Sequence, residues 1–376
     1  MRVIIVSPAY PLRGGIAEST ELLYQEYIKS GNTCEIISYS LQYPSFLFPG
    51  KTQKVNDPRK NHFQISSLIN SINPISWYKV SQYILSKKPD YVILRYWNPF
   101  FAPCLGFIAS KLKRNKIPAI AWVDNINPHD SFIFQNKLTK YFLNKVNSAL
   151  VMSSSVKNDL LKLYPNFKVI YSPHPIYNNF GPIVSKQNAR RNLNLDLSSK
   201  YILFFGFIRK YKGLDLLLDS ISDSRFKKKN IKLIVAGEFY DKKSTYIDKI
   251  KKLKLESSVI LFDSYINNCD VSKFFCASNL VVQPYLSATQ SGVSMIAFHF
   301  LKPVLVTKKG GLTEYVDHKK NGYVVDCNAK MIADSILDYF ENDREEYFSS
   351  NLKSKLIEFS WSKLLGNFEK LYLSEK

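Results

Sequence analysis

The chain has 376 residues, too many for one ordinary hydrophobic core, so about two domains are expected. Apolar residues make up 45% of it, which excludes a disordered chain. Lys and Arg outnumber Asp and Glu by 52 to 31, and the net charge of +21 suits nucleic acid, an anionic membrane face or phosphorylated substrates, unless it reflects a simple bias toward Lys and Asn.

The five cysteines are scattered, with no CxxC or Cys/His spacing, so neither zinc nor a disulfide framework is expected and a reducing compartment fits best. No window reaches the roughly 18 uninterrupted apolar residues of a membrane span, so the reading is a soluble or peripheral protein. Basic clusters at 110–116, 225–232 and 248–255 read as solvated faces. None forms an RNP motif, a zinc finger or a basic zipper, so nucleic acid is not an expected partner.

In chain order, "MRVIIVS" reads as a buried first strand rather than a signal peptide. An amphipathic helix follows over 16–31. Further strands are predicted at 34–40, 91–95, 118–123, 148–152 and 168–171, with a helix at 156–164. The stretch "SPHPIYNNFGPI" (172–183) is dense in Pro, Asn and Gly and reads as a linker. The alternation then restarts with strands at 201–205, 231–237, 258–262, 279–285, 302–306 and 322–325. From Met331 to Leu373 the pattern is helical. Two successive α/β units joined by a short hinge imply two Rossmann-like domains facing one cleft. The expected boundaries are 1–175, 176–355 and a terminal helix over 356–376 that returns to the first domain.

Three stretches carry candidate chemistry. In "FFGFIRKYKGLDLLLDSI" (204–221) an apolar run ends at Gly206, and Arg209 and Lys212 precede a helix opening at Gly213. A helix N-terminus at a strand's carboxyl end offers free N–H groups to an anion, and two cations beside it suit a diphosphate. Alternatively, both cations are simply solvated in a loop. In "QPYLSATQSGVSMIAFHFLKPVLVTKKGGLTEYV" (283–316) the arrangement repeats: Thr289, Gln290, Ser291 and Gly292 lie between a strand and a helix starting near Val293. Glu314 follows the Gly310–Gly311 loop. In "RGGIAEST" (13–20), Gly14 and Gly15 let the backbone approach a ligand. This is not GxGxxG and lacks the acidic residue of a dinucleotide site, so nicotinamide chemistry is poorly supported.

The order and spacing of these motifs, with "RYWNPFFAPCLG" (95–106) and the terminal "FSW", resemble the GT-B glycosyltransferases of the large family 4 over the whole length. Parts of the match are similar to a bacterial surface-polysaccharide branch of that family. The resemblance implies transfer of a hexosyl-type sugar from a nucleotide-sugar donor, with retention, to a glycan or polyprenyl-diphosphate-linked acceptor in capsule, O-antigen or exopolysaccharide assembly. It implies no cofactor and no metal, and a cytoplasmic site of action, either free or peripheral on the inner membrane face. Lys212 falls on the family's diphosphate-binding lysine. The family's arginine directly follows the first glycine; here Phe207 stands there and Arg209 is the substitute. Gly15 would lie under the donor phosphates, and Gly14 and Gly206 are also expected to bind the donor. His129, in "DNINPHD" (124–130), matches the histidine that reaches the donor sugar. Tyr265 and Ile266 fall where main-chain groups hold the base.

One departure stands out. The family carries two glutamates eight positions apart around the second phosphate loop, and the matching positions here are Ala288 and Ile296. Thr289, Gln290 or Ser291 would take over sugar or phosphate contacts, and Glu314 either serves the ribose or is structural. A non-catalytic nucleotide-sugar or polysaccharide binder is therefore the alternative, and a 2-epimerase-like enzyme a weaker one, since the sequence shows few acids for it. Among other residues, His299 reads as core, His62 and His318 as surface, and His174 as a hinge residue bonding backbone. Arg95 is either a cleft residue or a structural ion pair, and Asp124 either orients its loop or is catalytic. The aromatic segments 41–50 and 73–80 lie either at a membrane interface near a lipid-linked acceptor or in ordinary core.

Overall fold

The structure, a computed structural model, describes residues 1–44, 52–54, 63–126, 134–177, 179–288 and 291–375, with only the backbone of Ile357. The chain divides into a first unit, Met1–Pro175 with Ser360–Lys376, and a second, Ile176–Phe359.

The first unit is built on seven parallel strands: β1 (Arg2–Val6), β2 (Thr33–Leu41), β3 (Ile65–Asn70), β4 (Tyr91–Tyr96), β5 (Ala119–Val123), β6 (Ser148–Val151) and β7 (Val169–Tyr171). Their spatial order is β3-β2-β1-β4-β5-β6-β7. Helices cover both faces of such a sheet, so its inner strands read as continuous apolar runs, and Val3 to Val6 and Tyr91 to Tyr96 are buried throughout. Strand β3 escaped the sequence reading. It is an edge strand, "ISSLIN", irregularly paired to β2 and partly exposed, so it needs no apolar run. The helix Trp361–Leu373 packs on this unit through Trp361, Leu364, Leu365, Phe368, Leu371 and Tyr372. Phe368 meets Trp122 edge-on at 5.7 Å, and Tyr372 stacks on Tyr91 at 4.9 Å. Each such burial stabilises by about 1.5–3 kcal/mol relative to exposure.

The second unit carries six parallel strands: β8 (Lys200–Phe205), β9 (Ile231–Ala236), β10 (Val259–Phe262), β11 (Leu280–Gln283), β12 (Val304–Thr307) and β13 (Gly322–Val325). Their order is β10-β9-β8-β11-β12-β13. Strand order therefore reverses between β8 and β11, and open parallel sheets bind ligands beyond the strand ends at such a switch point. Both loops singled out in this half of the sequence, after β8 and after β11, emerge there.

Candidate phosphate-binding site

Strand β8 runs out at Phe205, and the chain turns at Gly206 with φ +94°. A tight turn over Lys210–Lys212 brings the chain to Gly213 at φ +70°, from which the helix Leu214–Ile221 starts. A side chain at Gly213 would put its Cβ 2.0 Å from the Pro284 carbonyl oxygen, so glycine is what lets this turn press against the end of β11. The turn folds Lys212 inward. Its Nζ lies 3.1 Å from where a Cβ on Gly206 would sit, and Val293 reaches the same point at 3.7 Å. Gly206, Lys212 and Val293, far apart in sequence, thus meet at the switch point.

Lys212 is only 9% exposed. Among the described residues no carboxylate pairs with it, and the charged group that bears on it is another cation, Arg209. Burial first, and then Arg209, pull its ammonium down to about 7 from the ordinary 10.5. A buried lysine beside a second cation with no acid is costly for the empty protein, and an anion removes the cost. Its Nζ stands 5.6 Å from the centre of the Tyr285 ring. The Tyr285 phenol, pushed well above its ordinary range by burial, hydrogen-bonds the Ser291 side chain.

Ser291 occupies the position before the helix Gly292–His299, with no side-chain capping bond, and is buried. A Cβ on Gly292 would come 3.2 Å from the Tyr177 ring, so glycine is what lets that ring pack against the start of the helix. Two helix N-termini therefore open beside one buried lysine. Arg209 is half-buried, its guanidinium 4.7 Å from the Tyr240 ring centre. Phe207, at the family arginine's position, stacks at 6.1 Å on Tyr265, which with Ile266 follows β10. Glu314 lies half-buried on the turn Gly310–Tyr315 after β12. Ala288 is half-buried, and Ile296 is buried in its helix. Thr289 and Gln290 fall outside the described residues.

In the first unit, Gly14 (φ +113°) and Gly15 stand where β1 leads into the helix Gly15–Lys29, and a Cβ on Gly14 would meet open space. Arg95 and Asp124 form a buried two-pronged ion pair: Nε donates to Oδ2 at 2.5 Å and Nη2 to Oδ1 at 2.6 Å. The guanidinium also stacks 3.4 Å over Trp122. His174 is buried, and its Nδ1–H donates to the Pro175 carbonyl (2.7 Å). Burial outweighs that bond and, with Arg95, holds its pKa near 4. His299 is half-buried against Phe300, and His318 is exposed. His129 and His62 fall outside the described residues.

Residues 185–355 match the family model described as Glycosyl transferases group 1. An uncharacterized glycosyltransferase of Methanocaldococcus jannaschii is 26% identical over 99% of this chain and 98% of its own length. A lipopolysaccharide 1,2-N-acetylglucosaminetransferase of Salmonella typhimurium is 27% identical over 49% of this chain, which spans about half (51%) of that relative. A solved structure, Anabaena HepE in complex with UDP, superposes with a TM-score of 0.75 at 16% identity, covering 100% of both chains. The fold is GT-B. The family match and both relatives are glycosyltransferases, and the GT-B expectation is met.

The aromatic group of Phe207, Tyr240 and Tyr265 was only partly visible in the sequence. Tyr240 ends "GEFY", a string with no recognisable motif; its position beside β8 comes from the sheet. Tyr285 likewise had no signal beyond its place after a strand.

Proposed function

We propose that this protein is a retaining, family 4 glycosyltransferase. It takes a sugar from a nucleoside-diphosphate donor to a glycan or lipid-linked acceptor, in the assembly of a bacterial surface polysaccharide. The carrying observation is Lys212: a buried ammonium, without a carboxylate partner among the described residues, set between two loops at the switch point of the second sheet. The reading is supported by the group 1 match over that same half, by the structures of HepE with UDP and with UDP-glucose, and by the lipopolysaccharide transferase among the relatives.

In this reading the chain's work is electrostatic. As the sugar–phosphate bond breaks, negative charge grows on the leaving diphosphate. Lys212, Arg209 and the N–H groups at the start of the helices after Gly213 and Ser291 are in place to meet it. Tyr265 and Ile266 hold the base through main-chain groups, and Glu314 serves the ribose. The acceptor hydroxyl attacks on the face the diphosphate leaves, and the departing phosphate takes its proton, so no enzymic nucleophile is needed. Lys212→Ala should lose most of the turnover while circular dichroism and melting temperature stay close to wild type. Near-normal turnover in that variant would overturn the phosphate assignment.

A second reading is binding without transfer, favoured by Ala288 and the buried Ile296 where the family has acids. It predicts donor binding with no acceptor-dependent nucleotide release. We also propose that the first unit meets an anionic membrane surface. Leu68, Ile72, Ile75 and Tyr78 are exposed around the start of the helix Pro74–Lys87, and Lys111 lies 5.5 Å from the Tyr78 ring. Trp77 is half-buried, its Nε1–H bonded to the Asn70 carbonyl, so that aromatic belongs to the packing. Most of the 41–50 segment lies outside the described residues. No described helix is long and apolar enough to cross a membrane.

A further inference from the structure

The two cations of the site repel each other, and no carboxylate stands within ion-pair distance of either among the described residues. An unsupported Arg209 would swing its long side chain into water, away from Lys212. The structure holds it elsewhere. Past the ends of β8 and β9 the two chains keep running side by side. The Ile208 N–H donates to the Glu238 carbonyl (2.8 Å), the Tyr240 N–H donates to the Ile208 carbonyl (3.0 Å), and Ile208 bridges Phe239 in parallel. This extension fixes the Tyr240 backbone relative to Arg209, one residue beyond Ile208.

The Tyr240 ring then lies 4.7 Å from the Arg209 guanidinium carbon. Its position is itself constrained. Phe207 packs against it at 4.5 Å with the rings tilted by 37°, and Tyr265 stacks on Phe207 at an interplanar angle of 28°. Phe207, Arg209, Tyr240 and Tyr265 are all half-buried, so the column is both braced and open to solvent. A guanidinium is drawn to the negative face of an aromatic ring, an attraction that survives partial exposure.

We propose that Tyr240 is a positioning residue for the diphosphate: its ring seats Arg209 against the repulsion of Lys212, so that both charges are aimed before the anion arrives. The inference rests on the diphosphate reading of the loops after β8 and β11. It explains how an arginine displaced from the family position by Phe207 still serves the site: Phe207 became part of the seat. Setting the charge in advance saves the ordering cost that a free arginine would incur on binding.

The test is calorimetric titration of the full chain with UDP, GDP and ADP, followed through with the tightest binder. Tyr240→Ala should weaken binding by about threefold to tenfold, the scale of one cation–π contact. Tyr240→Phe should restore wild-type affinity, because the ring and not the hydroxyl does the seating. In an Arg209→Gln background, Tyr240→Ala should add less than about a twofold further loss, since its effect passes through Arg209. If Tyr240→Ala fails to fold, Tyr240→Leu keeps the bulk without the ring's charge distribution and should show the same threefold to tenfold loss. Failure of Phe to rescue, or fully additive losses in the double variant, would overturn the proposal and leave Tyr240 a packing residue. A Lys212→Ala control separates the two readings. If it abolishes binding while the Tyr240 variants match wild type, only the positioning role falls. If no nucleoside diphosphate binds the wild type, or Lys212→Ala binds as well as it does, the diphosphate reading falls too.

Discussion

Lys212 links burial to pH. Its folded pKa of about 7 lies below the ordinary 10.5, so between those values the folded chain holds fewer protons at this site than the unfolded chain. The contribution of this residue to stability is therefore present above the unfolded value and is lost as pH falls toward 7. A bound diphosphate reverses the preference by favouring the charged amine. At pH 8, nucleoside-diphosphate binding should then take up a proton, and affinity should fall as pH rises above 7. Titration calorimetry in two buffers of different ionisation enthalpy measures the uptake, and Lys212→Met should abolish it. The Arg95–Asp124 pair has the opposite character. It is buried and satisfied on both carboxylate oxygens, with Trp122 stacked beneath. Asp124→Ala would leave a buried guanidinium without its partner and should cost about 3–5 kcal/mol in denaturant unfolding. The sequence marked Lys212 because a cation before a glycine at a strand's end has a physical meaning. It left Arg95 open between two roles, because the partner lies 29 residues away, just past the end of the neighbouring strand.

At the scale of elements, the contact between the turn before the helix Leu214–Ile221 and the end of β11 holds the site together. Gly213→Ala drives a Cβ into the Pro284 carbonyl and forces a non-glycine residue to φ +70°. Backbone strain of this kind costs about 1–3 kcal/mol. The expected outcome is a lowered melting temperature together with weaker diphosphate binding, because the two loops must part. A melting temperature and affinity equal to wild type would show that the contact is dispensable. The strands that build these elements were legible because a parallel sheet is covered on both faces and its inner strands are uninterrupted apolar runs. The edge strand β3 was not, because an edge residue needs only one neighbour and one covered face. Tyr240 was invisible for a related reason: its role depends on β8 and β9 continuing side by side beyond their ends, a property of pairing between segments and not of either string.

At the scale of the molecule, each unit has its own parallel sheet, its own switch point and its own core. The repeated α/β alternation with a Pro- and Asn-rich break made that plan readable from the sequence. The identity of the donor was not readable, since Ala288 and Ile296 stand where the resemblance leads one to expect acids. The proposed membrane surface gives a further prediction: replacing Ile75 and Tyr78 with Ser should reduce co-sedimentation with vesicles containing anionic phospholipid, with little change in melting temperature because both side chains are exposed. Unchanged co-sedimentation would assign that patch another role.

The measurement that bears most directly on the account is nucleotide release from a panel of UDP-, GDP- and ADP-sugars, with and without a lipid-diphosphate acceptor mimic, for wild type and Lys212→Ala. The account predicts one donor whose nucleotide is released only when acceptor is present, and a release largely lost in the variant. Acceptor-dependent release that persists undiminished in Lys212→Ala, or no release from any donor with any acceptor, would contradict it.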